Sequence, residues 1–592
     1  MNVKQISMNQ LITDNIDTWT STVKTKATTG RGSSKKRELY GVKKLRELIL
    51  ELAVRGKLVP QDPTDEPASY FFPEMEEEKS ALVKANKLKK QKPTPLIDGA
   101  SAPYQLPAQW VWMGLPDVTF FQEGPGILAK DFRDAGVPLI RISGMHEEKV
   151  SLAGCNFLDE SMVLKKWEHF KLDLEDIVLS SSASLGKVAK VSEETVGAIV
   201  YTGLIRFKTY AALSENYMSR FFESMEFARQ INSSKTGAAI KHFGPTHLKK
   251  MVIPIPPLKE QHRIVTKVDE LMTLCDQLEQ QTEASIEAHQ TLVEVLLNTL
   301  TSSENADELM QNWDRISDHF DTLFTTEASI DLLKQTILQL AVMGKLVPQD
   351  LNDEPAAKLL ERIAEEKAQL IKEKKIKKQK ALPPITDDEK PFELPNGWCI
   401  ERLGNICEKM GSGSTPRGGQ SAYVAEGIPF LRSQNVWNGE LKLNDIAYIP
   451  KETHDKMENT KVYPGDVLLN ITGASLGRST VFPVEIPEAN VSQHVTIIRL
   501  IEPSMKEFVH LGIVSPLIQS LVWGRQVGMA IEGLSKKVLE QFEFPVPPLE
   551  EQKRICVKVD ELMDVCEQLK FRLKDSQITQ LHLTDAFVDL AL

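Results

Sequence analysis

A near-identical block of sequence occurs twice in this chain, and it dictates the architecture. Ala53–Ala68 reads AVRGKLVPQDPTDEPA and Ala341–Ala356 reads AVMGKLVPQDLNDEPA, identical at 13 of 16 positions with an offset of 288. A second block, Pro256–Leu278 (PPLKEQHRIVTKVDELMTLCDQL), matches Pro547–Leu569 (PPLEEQKRICVKVDELMDVCEQL) at 16 of 23 positions with an offset of 291. Each repeat of that size carries its own core, so the 592 residues are two modules of about 290. Between the blocks the copies diverge but keep landmarks. Leu106, Pro107 and Trp110 answer to Leu394, Pro395 and Trp398; Arg141 answers to Arg432; and SLGK at Ser184–Lys187 answers to SLGR at Ser475–Arg478. Constant connectors around varied globular parts describe a scaffold that presents two different readers, whereas duplication with simple drift would spread the divergence evenly.

The constant segments read as helices. From residue 258 to 300, Ile264, Val268, Leu271, Cys275 and Leu278, then Leu292, Leu296 and Leu300, alternate close to 3 and 4 apart, and the second copy keeps the seam at Ile555, Val559, Leu562, Cys566 and Leu569. A helix of about 40 residues is roughly 60 Å long. Its stripe needs a partner. Leu45, Leu48, Ile49 and Leu52 supply one, repeated as Leu333, Thr336, Ile337 and Leu340, and both short helices stop at a glycine (Gly56, Gly344) with a proline following (Pro60, Pro348). An antiparallel helical pair or small bundle within one chain fits this pattern, with a homodimeric coiled coil as the alternative.

Charge is distributed unevenly. The formal net charge is -11, and Glu260 to Lys345 alone holds 5 basic and 16 acidic residues, the whole excess. Tyr104–Lys250 is balanced at 17 against 17 and Leu394–Phe542 at 14 against 15, so an acidic total does not exclude a basic face on either variable segment. Lys-rich runs precede both segments, KANKLKKQK at Lys84–Lys92 and KEKKIKKQK at Lys372–Lys380, and read either as solvated linker or as phosphate contact. Residues 20–37 read as a flexible basic tail. No apolar run reaches the ~18 residues of a membrane span and the N-terminus lacks a signal-peptide layout, which predicts a cytoplasmic protein. Six scattered cysteines suggest neither disulfides nor a zinc site.

Strand candidates in the first variable segment are VPLIRI, DIVLSSS, KVAKV and GLIRF, and in the second IPFLRS, DVLLNIT and VTIIRL. After DIVLSSS and DVLLNIT, a small hydroxyl, a glycine and a cation (Lys187, Arg478) are what a phosphate or a base edge meets, though turns use the same residues. Catalytic signatures are missing: no GK pair is followed by Ser or Thr, and HExxH, GxSxG and an NPPY or DPPY are absent. A formal nuclease pattern, Pro116-Asp117 with Glu147 and Lys149, sits in a charged loop-like context that the second copy lacks.

On GKLVPQD at Gly56–Asp62 and Gly344–Asp350, PPLxEQ at Pro256–Gln261 and Pro547–Gln552, and KVDELM at Lys267–Met272 and Lys558–Met563, the chain resembles the specificity (S) subunits of type I restriction-modification systems, from about Lys43 to the C-terminus. The resemblance implies an α+β protein with two α/β target recognition domains separated by long antiparallel coiled-coil-like helices in a pseudo-two-fold repeat. It implies no enzyme activity in this chain. Each domain would read half of a bipartite, asymmetric DNA site, while the helices set the gap and dock two modification (methyltransferase) subunits, joined by two restriction (translocase/endonuclease) subunits. S-adenosylmethionine, ATP and Mg²⁺ would belong to those partners, with no cofactor or metal here.

The expected organisation is a flexible N-terminal extension (1–40), a conserved helical segment and basic linker (41–103), recognition domain 1 (104–255), a central helical spacer (256–345), the repeated segment and linker (346–393), recognition domain 2 (394–546) and a C-terminal helix (547–592). Candidate DNA-binding residues by matched position are Arg141 and Arg432, Ser184 with Lys187, Ser475 with Arg478, Arg206 and Arg499, and Lys241 before the helical exit. Gln434, Asn435, Gln493 and His494 join them on residue type alone. For all of them a surface salt bridge or turn role is the competing expectation.

Overall fold

The computed structural model describes residues 8–26, 36–84, 102–146, 149–181, 186–233, 243–526 and 533–592. It divides into two compact units, Met1–Ser285 with Ser576–Leu592, and Ile286–Asp575. Each unit holds one recognition domain. Two helices, Leu258–Ser302 and Leu549–Ala591, each contribute residues to both units.

The first recognition domain is framed by Val111–Gly114 paired antiparallel with Val252–Ile255, which runs straight into the long helix at Leu258. Inside that frame, one sheet orders the strands 119–123, 204–209, 177–180 and 188–190, extended by 149–150 and 145–146. A second sheet orders 199–200, 137–140, 156–158 and 132–133. The second domain repeats the plan: Cys399–Arg402 pairs with Glu543–Val546, one sheet runs 407–412, 495–500, 467–470, 479–481, and the other 447–449, 428–431, 489–491, 461–462. All seven strand candidates form strands. The central strands Ile177–Ser180 and Val467–Asn470 are buried throughout, as unbroken apolar runs require.

The helical seam departs from the expected register in its second half. Ile264, Val268, Leu271 and Cys275 are buried as expected, and further on Leu300 is buried and Leu296 half-buried, but Thr282, Val293 and Leu297 are buried beside them while Leu292 is exposed. A helix advances 3.6 residues per turn, and that period carries the seam through polar Thr282, whose hydroxyl is satisfied by the Leu278 carbonyl at 2.6 Å, to Val293. The glycine stops are as expected. Gly56 and Gly344 both have φ +69, and a side chain on either would strike a proline and a tryptophan (Pro107 and Trp110, Pro395 and Trp398).

Residues 8–26 correct the expectation of a flexible extension. Helix Met8–Asp14 is followed by helix Ile16–Ser21, and the second of these meets the end of the terminal helix through Trp19. Trp19 is fully buried 6.5 Å from the Phe587 ring, Thr22 bonds Thr584 at 3.0 Å, and the Tyr40 hydroxyl donates to Asp585 at 2.8 Å. The segment is a further part of the repeat. Ile12–Thr22 (ITDNIDTWTST) matches Ile316–Thr326 (ISDHFDTLFTT) at 5 of 11 positions, but with an offset of 304. The 16 extra residues, 23–38, include a short antiparallel pair, Lys24–Lys26 with Lys36–Glu38, where the second copy closes directly with Thr326 capping the next helix.

Candidate nucleic-acid interface

The constant motifs converge on one buried carboxylate in each unit. In the first, Glu260 accepts hydrogen bonds from the Trp110 indole (3.0 Å) and from the Gln61 amide (2.6 Å), while Arg263 pairs with Asp65 at 2.6 Å. In the second, Glu551 accepts from Trp398 (3.1 Å) and Gln349 (3.3 Å), and Arg554 pairs with Asp353 at 2.7 Å. The motif lysine closes a helix end each time. Lys345 donates to the Thr301 and Ser303 carbonyls at 2.9 and 2.8 Å, and Lys57 donates to the Leu592 carbonyl. These clasps join the base of each recognition domain to the helices. Burial pushes the Glu260 and Glu551 carboxyls above the ordinary carboxylate range, with the indole and amide donors opposing.

Away from the clasps, the candidate residues fall into two groups. In the second domain the loops 432–445, 470–479 and 492–494 form one connected rim. The Arg432 backbone N–H donates to the Asn435 side-chain oxygen (2.9 Å), the Asn470 amide donates to the Ser433 carbonyl (2.8 Å), and Thr472 bonds His494 (2.6 Å). That rim carries Arg432, Gln434, Ser475, Arg478, Gln493 and His494, with Gln434 and Gln493 exposed. Asn435 is 1 % exposed, and its amide holds the Lys442 carbonyl at 2.9 Å, so it shapes the loop from inside.

The first domain has a matching turn. Ser180 and Gly186–Lys187 repeat the backbone bonds of Asn470 and Gly477–Arg478: Ser180 N–H to the Lys187 carbonyl at 2.9 Å and Gly186 N–H to the Ser180 carbonyl at 3.0 Å, against 2.8 and 2.9 Å. Lys187 is exposed, and Arg141, also exposed, lies over the Tyr201 ring at 5.4 Å and donates to Asn156 at 3.0 Å. Ser184 and Lys241 lie outside the described residues.

Arg206 and Arg499 sit elsewhere. Arg206 is 7 % exposed, with Nε 2.7 Å from Asp176 and Nη2 2.9 Å from Asp173; Arg499 grips Asp466 with two bonds, 2.8 and 2.7 Å. Asp176 and Asp466 each also accept a backbone N–H, from Asp173 and Tyr463. These are matching internal braces that leave the guanidinium groups engaged within the domain. Asp117 of the formal nuclease pattern is bound to Lys79 at 3.2 Å, and Glu147 lies outside the described residues. Among the described residues no cluster of three or more His, Cys, Asp or Glu could hold a metal, and no helix is long and apolar enough to cross a membrane. The six cysteines are free thiols.

Sequence reasoning missed Trp437 and Lys442 on the second rim. Lys442 Nζ lies 3.6 Å and Arg478 Cζ 3.8 Å from the Trp437 ring centroid. The Asn438-Gly439 pair between Trp437 and Glu440 is the two-residue hairpin signal that pointed there.

Residues 107–288 and 395–577 each match the family model described as the type I restriction modification DNA specificity domain. The specificity subunit of the EcoAI type I restriction enzyme from Escherichia coli is 41 % identical over 99 % of this chain and all of its own length. The chain belongs to this family. It is a type I specificity subunit with two target recognition domains, a non-catalytic subunit that binds DNA and the other subunits of its complex. The EcoEI specificity subunit, also from E. coli, is 39 % identical over 99 % of this chain and 100 % of its own. A solved HsdS subunit from Thermoanaerobacter tengcongensis is 18 % identical, covering 83 % of this chain and 98 % of that one with a TM-score of 0.40.

Proposed function

We propose that this specificity subunit reads a bipartite, asymmetric DNA site, one half with each recognition domain, and directs two modification subunits, and restriction subunits when present, to act there. The observation that carries this reading is the repeated clasp: one mounting, built from the same residues at Glu260 and Glu551, supports two rims of different chemistry. Different readers on equivalent mounts give a site that need not be palindromic.

The domain limits 104–255 and 394–546 define the readers, and the conserved segments 41–103, 256–345, 346–393 and 547–592 define the ruler between half-sites. In the first reader Arg141, Ser184, Lys187 and Lys241 contact DNA; in the second Arg432, Gln434, Ser475, Arg478, Gln493 and His494 do. Arg206, Arg499 and Asn435 serve recognition by holding the strands and loops that carry those side chains. S-adenosylmethionine, ATP and Mg²⁺ act in the partner subunits, and the complex works in the cytoplasm. The test is a footprint of the chain assembled with its modification subunits on random-sequence DNA. One bipartite sequence with a fixed gap, surviving excess competitor DNA, is expected; protection at a single continuous sequence, or none, contradicts the reading.

A further inference from the structure

Trp437 stands between two cations on the rim of the second recognition domain. Two charges within 4 Å of one ring centroid, Lys442 Nζ at 3.6 Å and Arg478 at 3.8 Å, have room only on opposite faces of the indole. The arrangement is built from the turn outward. Gly439 takes φ +78, its N–H donates to the Ser479 carbonyl at 3.1 Å, and the Ser479 N–H donates to the Asn438 side chain at 3.1 Å, which brings Arg478 beside the hairpin. The Trp437 indole N–H donates to the Gln434 carbonyl at 2.9 Å and fixes the ring plane. On the other side of Arg478, the Gln519 amide holds the Gly477 carbonyl at 2.8 Å.

Arg478 makes no ion pair among the described residues. Stacking occupies the face of a guanidinium and leaves its N–H fork free at the edge. Arg478 is part-buried on the rim, and a planar fork anchored there by the indole matches the O6 and N7 acceptors of guanine on the major-groove edge. Lys442, paired with Glu440 at 3.6 Å, offers only a point charge.

We propose that Arg478 reads a G·C pair in the half-site of the second domain, with Trp437 as the positioning residue that holds the fork in plane. The inference rests on the reading that both domains recognise DNA. The first domain cannot repeat the device, since the positions 291 earlier are His146, Ser151 and Lys187.

The experiment maps DNA methylation by the full chain assembled with its modification subunits, for wild type, Arg478→Ala, Arg478→Lys, Trp437→Phe and Trp437→Ala. A G·C pair is expected in the wild-type motif. Arg478→Ala loses discrimination at that one position by roughly 10- to 100-fold and keeps the rest of the motif. Arg478→Lys fails alike because it lacks the fork, Trp437→Phe retains the preference, and Trp437→Ala relaxes the same position. A motif without G·C in either half, an unchanged motif in Arg478→Ala, or a Trp437→Ala complex that weakens at every position alike overturns the inference. A wild-type complex with no bipartite motif refutes instead the recognition reading beneath it.

Discussion

The two recognition domains agree closely at their bases and differ at their rims. At the base, Trp110, Gln61 and Glu260 repeat as Trp398, Gln349 and Glu551, and the braces Arg206–Asp176 and Arg499–Asp466 repeat within the sheets. At the rim, Arg141 over Tyr201 faces a counterpart of another kind, Arg432 beside Asp445 with Trp437 sandwiched between cations. Groups buried on both sides tolerate little change, because a lone buried carboxylate or indole N–H left without its partner is costly. A solvated loop fixed only at its ends can change its residues freely, and recognition resides there.

That contrast breaks first at the clasp. Glu260→Ala leaves the Trp110 indole unanswered and the Gln61 amide with only the Gly56 carbonyl at 3.4 Å, and Glu551→Ala leaves the Trp398 indole unanswered and the Gln349 amide with only the Gly344 carbonyl at 2.7 Å. Each is expected to cost about 1–3 kcal/mol, read by calorimetry as a lowered unfolding transition of one unit while the other unit's transition stays. Equal losses in both units would show that the clasps are not separate mounts.

Smaller effects separate the two rims. Gly186→Ala and Gly477→Ala both place a side chain at positive φ (+92 and +85), a cost of about 1–2 kcal/mol in denaturant titration. At Gly477 the new Cβ also meets Gln519, whereas no described atom lies within 4 Å at Gly186, so the second domain should suffer more. Arg141→Ala and Arg432→Ala should each weaken DNA binding by about 1–3 kcal/mol and relax one half of the site only, which methylation mapping distinguishes.

The smallest effect is in pH. Because burial raises the Glu260 and Glu551 carboxyls, the native chain holds those protons more tightly than the unfolded one. The resulting stability is complete below the unfolded value of about 4.3 and is lost as pH rises through the folded values. Glu260→Gln should flatten this slope in the first unit's unfolding midpoint and leave the second unit's slope intact.

Much of this fold is legible in the sequence because the repeat reports its own constraints: the glycine stops, the seven strands and the first half of the seam follow from spacing and turn residues. The seam's second half slips to Val293 because Thr282, a polar residue, occupies a buried turn and hides the period. Residues 8–26 escape because 16 inserted residues shift the offset from 288 to 304, so a search at one period misses them. Arg206 and Arg499 look like free cations on strands, since their acidic partners lie 30 to 33 residues away. Trp437 carries its signal in WNGE, but its role depends on Arg478, 41 residues on, and only folding brings the two together.

The central claim, two independent readers on equivalent mounts, is tested most directly by a chimera in which residues 107–255 are replaced by a second copy of 395–546, joined at the clasp segments. Assembled with its modification subunits and mapped by methylation, it should recognise the second domain's half-site twice with the wild-type gap. A folded complex that keeps the wild-type asymmetric motif, or recognises no bipartite motif, would contradict the account.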